Sequence, residues 1–194
     1  NDAVRQQAQQ QADMFTPLVK AYCSDYGYDL TREAIQILGG VGYCREFPAE
    51  QYARDCKISS IWEGTTYIQA LDLVGRKLGM AGGKVFQDWV QEVMAFTKKY
   101  QDDSDFGPDF RLLFKAVQAT SDFAMRYLKY FKEGKLSLVA LTATRFQECF
   151  AEVLMGQLIL EQGLLAREKI KQVDEDSSDG IFYRGKMAVS YTHL

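Results

Sequence analysis

The segment Trp62-Glu63-Gly64-Thr65-Thr66 sets a carboxylate between an aromatic ring and a glycine, just ahead of a threonine pair able to cap a helix. A glutamate so placed stands near free backbone N–H groups in a partly apolar setting, which can tune it toward work as a general base. The same placement also fits a plainer role, in which Glu63 only complements the positive end of a helix dipole, for about 0.3–1 kcal/mol. A second stretch, Gln36-Ile37-Leu38-Gly39-Gly40-Val41-Gly42, is a helix end running into glycines. Glycines there would let the backbone approach a flat or phosphate-bearing ligand closely. A glycine after a helix is also an ordinary C-cap, so this stretch alone decides nothing.

The elements that must position these residues are helical. Apolar residues recur at three- and four-residue steps through most of the chain, strand-like alternation is scarce, and there are only 3 prolines, so the expected class is all-α. A first helix is expected over Val4 to Asp25, with Ala12, Phe15, Leu18, Val19 and Tyr22 inward, stopping at Asp25-Tyr26-Gly27-Tyr28. Thr31 can cap a short helix with Glu33 to Leu38 as its body. Pro48 then opens a helix through Gln51, Arg54 and Lys57 toward Ile61. Thr65 or Thr66 caps another, which carries Ile68, Leu71, Leu73, Val74 and Leu78. Met80-Ala81-Gly82-Gly83 reads as a linker, dividing residues 1–79, a first helical domain, from an additional helical domain over 85–194 across a linker at 80–84. Beyond it, helices are expected over Val85 to Tyr100, Phe110 to Lys132 and Leu136 to Lys171, joined by short turns as an antiparallel bundle.

The 194 residues are 47% apolar and 25% charged, ordinary proportions for a folded soluble domain with a sizeable core. Basic residues number 23 against 26 acidic, a formal net charge of -3, and neither sign gathers into a block that would track nucleic acid or an anionic membrane. Cys23, Cys44, Cys56 and Cys149 lack C-x-x-C spacing, and with His193 they make a poor metal set, so no metal is expected and the thiols read as reduced and cytoplasmic. No run of about 18 apolar residues and no leader are apparent, so no membrane span is expected. A start at Asn1 without methionine suggests a missing upstream part, and Ser190 to Leu194 read as a cut end or cloning remnant.

Between Gln36 and Gln69 the order of motifs is longer than either piece. Gln36-Ile37-Leu38-Gly39-Gly40-Val41-Gly42-Tyr43 is followed by Arg45-Glu46-Phe47-Pro48, Glu50, Tyr52 and Arg54-Asp55-Cys56-Lys57-Ile58, then Ile61-Trp62-Glu63-Gly64-Thr65-Thr66-Tyr67-Ile68-Gln69. That order resembles the last domain of acyl-CoA dehydrogenases. The resemblance implies a parent fold of an amino-terminal helical domain, a middle β domain and a carboxy-terminal four-helix bundle, with this chain holding only the last part. It implies FAD as cofactor, an acyl-CoA thioester as substrate, and Glu63 as the catalytic base that takes the α-proton while the β-hydrogen leaves as hydride to the flavin. Gln36, Ile37, Leu38, Gly39 and Gly40 match the stretch that meets the FAD of a neighbouring subunit. Thr65, Thr66 and Tyr67 match the FAD-touching segment after the base, and Gly64 would border the thioester. Arg54 and Asp55 match the family's R-D pair, read here as an ion pair holding the glycine loop against the helix. Ala70 stands where the family often carries arginine, and Tyr67 where a polar residue is common.

Ile68-Gln69-Ala70-Leu71-Asp72-Leu73-Val74-Gly75-Arg76-Lys77-Leu78, together with the length beyond Gly83, resembles the larger branch with an added carboxy-terminal helical domain, which includes methylmercaptopropionyl-CoA dehydrogenase. Phe182-Tyr183-Arg184-Gly185-Lys186 resembles that branch's final helix. The implied partners are an electron-transfer flavoprotein or other electron acceptor and further copies of the chain in a homo-oligomer. The alternatives are an acyl-CoA oxidase with the same base and flavin, and a non-catalytic helical assembly module. By itself the chain is expected to be inactive.

Overall fold

A computed structural model describes residues 2–174 and 176–192, the last three by their backbone only. The expectations on Asn1, His193 and the end of the chain therefore lie outside the described residues. Seven α-helices carry the described chain: α1 (Asp2–Leu38), α2 (Ala49–Lys57), α3 (Thr66–Asp72), α4 (Lys84–Tyr100), α5 (Gly107–Lys132), α6 (Leu136–Ile170) and α7 (Ser178–Thr192). Among the described residues there is no strand, and the protein is all-α.

The first departure from expectation is the length of α1. It does not stop at Asp25–Tyr28 but runs unbroken to Leu38, through both Pro17 and Gly27. Gly27 costs a helix only about 1 kcal/mol, and the packing of α1 against α2 and α3 offsets that. Thr31 consequently caps nothing; its hydroxyl donates to the Tyr28 carbonyl within the helix, 2.7 Å away. The buried stripe also differs. Leu18 is buried and Phe15 meets the core as expected, and Met14, Pro17, Ala21 and Ser24 also face inward, whereas Val19 is 54% exposed and Ala12 lies on the solvent side. These inward positions keep the 3–4 spacing of a helix face, rotated from the expected one.

Two compact units result, and each has its own core. The first comprises the chain through Phe86 together with Arg126–Ala151. Phe150 centres its core, edge-on to Phe15 (6.4 Å) and Phe86 (5.5 Å), with Tyr127 edge-on to Phe146 at 5.2 Å. The buried amide of Gln147 donates to the Pro17 carbonyl at 3.0 Å, while its Oε1 has no protein partner. After α3 the chain winds Leu73–Lys77 as a π-helix, closed by the Leu78 N–H on the Leu73 carbonyl at 3.0 Å. It then turns at Ala81–Gly82–Gly83, all three at positive φ.

The second unit comprises Gln87–Met125 and the chain from Glu152. Phe110 of α5 sits edge-on to Phe96 and stacks with Tyr100 of α4, centroids 5.2 and 5.3 Å apart. Trp89 of α4 donates to Gln157 of α6 at 3.0 Å. Arg167, near the end of α6, clamps Asp103 just ahead of α5 through two bonds of 2.7 Å, so these stretches of α5 and α6 run antiparallel. Ser177 caps α7 by accepting the Gly180 N–H at 3.1 Å. By length and composition alone α6 is long and apolar enough to cross a membrane, and 39% of its most apolar window is buried inside the chain.

Candidate functional site

The 61–69 segment is built from both of its flanks. Thr65 is the N-cap of α3: its backbone is extended and its hydroxyl oxygen accepts the Ile68 N–H at 3.4 Å. Upstream, just past the short 3₁₀ turn Ile58–Ser60, the Trp62 N–H donates to the Ile58 carbonyl at 3.1 Å. Between these anchors Glu63 lies at φ +56° and Gly64 at +89°, two consecutive left-handed residues. A non-glycine residue seldom adopts such a φ, and it persists only where surroundings enforce it.

Three side-chain hydrogen bonds supply that enforcement. Gln69 Nε2 donates to the Glu63 carbonyl at 3.0 Å, Lys20 Nζ donates to the Gly64 carbonyl, and Thr66 Oγ1 donates to Asp25 Oδ2 at 2.8 Å. Lys20 and Asp25 both lie in the middle of α1, more than a turn apart. A Cβ on Gly64 would come 2.9 Å from Gln69 Nε2, so a larger residue there would displace the amide. Glu63 itself is exposed, as are Trp62 (56%) and Ile61 (58%).

The second predicted stretch lies elsewhere on the same helix. Gln36, Ile37 and Leu38 form the last turn of α1, with Ile37 85% exposed, and Gly39–Tyr43 follow as a 3₁₀ turn. Gly39 is at φ +66°, and neither it nor Gly40 has any atom within 4 Å of where a Cβ would stand. Their backbone is thus open to a ligand. Gly42 differs: it is buried, and its missing Cβ is what lets the turn press against Leu38 and the Ile35 carbonyl. Eleven residues of α-helix separate Asp25 from Gln36, a distance of roughly 16 Å along the axis. The structure therefore brings Glu63, Gly64, Thr65, Thr66 and Tyr67 together on one loop and helix start, and holds Gln36–Gly40 apart from them.

Arg54 does not pair with Asp55 to brace the glycine loop. It reaches one turn back to Glu50, with Nε–Oε2 at 2.8 Å. Residues four apart meet on a helix, whereas neighbours diverge. That guanidinium lowers the Glu50 carboxyl from its ordinary value and is itself raised. Beside this pair an apolar recess of about 170 Å³ opens between the end of α1 and the start of α2, lined by Thr31, Ala34, Leu38, Pro48, Ala49 and Tyr52. Sequence reasoning missed Lys20, Asp25 and Gln69 as contributors to the site. The first two lie some forty residues upstream in an ordinary amphipathic helix, where no local signal marks them.

Residues 1–79 match the family model described as "Acyl-CoA dehydrogenase, C-terminal domain", and residues 89–190 match "Acetyl-CoA dehydrogenase C-terminal like". A butyryl-CoA dehydrogenase of Syntrophomonas wolfei is 39% identical over 90% of this chain and 28% of its own length. A broad-specificity linear acyl-CoA dehydrogenase of Mycobacterium tuberculosis is 31% identical over 92% of this chain and 30% of its own length. A 3-methylmercaptopropionyl-CoA dehydrogenase of Ruegeria pomeroyi is 37% identical over 48% of this chain and 16% of its own. The chain thus spans less than a third of the length of these relatives.

Proposed function

Since this chain belongs to the acyl-CoA dehydrogenase family, in the branch with the added carboxy-terminal helical segment, we propose that the whole protein α,β-dehydrogenates an acyl-CoA thioester with Glu63 as base. The observation that carries this reading is the Glu63 loop itself. A carboxylate stands exposed on a two-residue left-handed turn, with its backbone tied to two helices, within the segment matched to the family model. An exposed loop held this firmly is suited to presenting one side chain to a reacting atom.

The α-hydrogen of a thioester is a weak acid, so the base must meet it at close range and be shielded from water. Glu63 would accept that proton at its carboxylate, and Gly64, lacking a side chain, leaves room for the thioester beside it. FAD, when bound, would supply the acceptor for the β-hydrogen as hydride, chemistry that no side chain provides. The residues fit such a group: Gly39 and Gly40 offer backbone with open space above it, and Gln36, Ile37, Thr65 and Tyr67 are exposed beside the two sites. The match of Gln36–Gly40 to the stretch that meets the FAD of a neighbouring subunit in the family supports a homo-oligomer. The large exposed apolar side chains Ile37 (85%) and Tyr43 (79%) at one stretch, and Ile61 (58%) and Trp62 (56%) at the other, support cover of both by the rest of the protein.

The division into residues 1–79, which carry the base, and 85–194, the added helical segment, belongs to the same proposal. So does an electron-transfer flavoprotein, or another acceptor, as the partner that reoxidises the flavin. The test is the visible flavin absorbance of the full-length protein before and after a panel of acyl-CoAs, with Glu63→Gln alongside. Bleaching in the parent and none in the variant is the expected result. Equal bleaching in both removes Glu63 as base, and a full-length protein without flavin removes the enzyme reading altogether.

A further inference from the structure

Glu63 and Gly64 are joined by a peptide whose carbonyl, and the next one along, both point to donors that are not water. The Glu63 carbonyl accepts from Gln69 Nε2 at 3.0 Å, from within α3; the Gly64 carbonyl accepts from Lys20 Nζ, from α1. The loop is therefore held from two directions, and the Thr66–Asp25 bond at 2.8 Å pins the start of α3 to the same part of α1. Exposed loop carbonyls are ordinarily satisfied by solvent, and a lysine has no need to leave water for a neutral carbonyl. Here the two bonds hold the two consecutive carbonyls that follow the Cα of a glutamate at φ +56°, a conformation the residue would not keep unaided.

We propose that Lys20 and Gln69 are positioning residues that lock Glu63 in its left-handed conformation and so set the line along which its carboxylate meets the substrate α-hydrogen. The proposal rests on the reading of Glu63 as base. Neither residue touches substrate in this role. Lys20 contributes a donor of the right reach, and Gln69 a donor that passes 2.9 Å from where a Gly64 Cβ would stand. Release of either carbonyl lets Glu63 relax toward an ordinary backbone conformation and swings its side chain away from the reacting carbon. A displacement of about 1 Å at a reacting group costs up to a hundredfold in rate.

The experiment uses the full-length flavoprotein with Lys20→Met, Lys20→Arg, Gln69→Leu and, as reference, Glu63→Gln. Two rates are measured for each: single-turnover bleaching of the flavin by an acyl-CoA, and exchange with D2O, followed by NMR, of the α-hydrogens of a 3-thia-acyl-CoA analogue, which has no β-hydrogen to transfer and so reports proton abstraction alone. Flavin content and KM accompany both. Lys20→Met and Gln69→Leu are expected to lower bleaching and exchange together by about 10- to 100-fold, with KM and flavin content within about twofold of the parent. Lys20→Arg, which keeps a cationic donor, restores most of the rate. Parental exchange in Lys20→Met alongside a dead Glu63→Gln overturns the positioning role and leaves the base intact. Equal slowing in Lys20→Met and Lys20→Arg with matching loss of flavin marks a merely structural lysine and overturns it too. Full exchange in Glu63→Gln overturns the base assignment first, and the positioning role with it.

Discussion

Arg167 is the position where a single change has the most calculable effect. Its guanidinium meets Asp103 through two bonds of 2.7 Å and Asp105 through one of 3.0 Å, and it lies 5.4 Å from the centroid of the Phe106 ring. The side chains of Asp103 and Arg167 are only 11% and 22% exposed. In Arg167→Met, Asp103 keeps the Asp105 and Phe106 N–H groups, each at 3.0 Å, but its charge is left shielded from water with no cation. Breaking a buried ion pair from one side costs about 3–5 kcal/mol. The partial exposure of both groups lowers this to about 2–3 kcal/mol. Native-state hydrogen exchange on the full-length protein measures it directly, through the amides of residues 101–110 and 160–170. Their opening equilibrium is expected to rise about 30- to 160-fold. Adding Asp103→Asn to the variant recovers part of the loss, because no uncompensated charge is then buried. A change below about threefold, or a double variant as costly as the sum of its parts, would refute the reasoning.

The same clamp fixes a pH dependence. Arg167 holds the Asp103 carboxyl well below its ordinary range, chiefly through their hydrogen bonds. A depressed folded value means that the stability is fully present above the unfolded carboxyl's pKa of about 3.9 and is lost as pH falls through the folded value. Protection of residues 101–110 is therefore expected to decline below about pH 4 in the parent, with a shallower decline in Asp103→Asn. In Gly42→Ala the new Cβ would stand 2.7 Å from Leu38 Cβ and 2.9 Å from the Ile35 carbonyl, and denaturant unfolding should register a loss of about 1–3 kcal/mol. Gln147→Leu removes one hydrogen bond together with an unpartnered buried oxygen. It is expected to stay within about 1 kcal/mol of the parent, whereas Gln147→Ala, which leaves a cavity, loses about 2–4 kcal/mol in the same unfolding assay. Thr65→Ala removes the cap of α3 and should cost about 1 kcal/mol by the same measurement.

Sequence pattern alone determined the all-α class, the extents of α4, α5 and α6 to within a few residues, a helix cap at Thr65 or Thr66, and the order of motifs that ties residues 36–69 to the acyl-CoA dehydrogenase family. These are legible because period, capping and turn chemistry act over three to seven residues, and a family signature is itself a sequence. Tertiary structure decided what depends on distant partners. Packing against α2 and α3 carries α1 through Gly27, and the face it buries runs from Met14 through Ser24, not along Ala12 and Val19. Arg167 finds Asp103, and Lys20 finds the carbonyl beside Glu63, across gaps of 64 and 44 residues. A lone lysine or arginine on a helix carries no local mark of the carbonyl or carboxylate it will meet. Which one it meets is set by the rotation of one helix against another, through the sum of many apolar contacts.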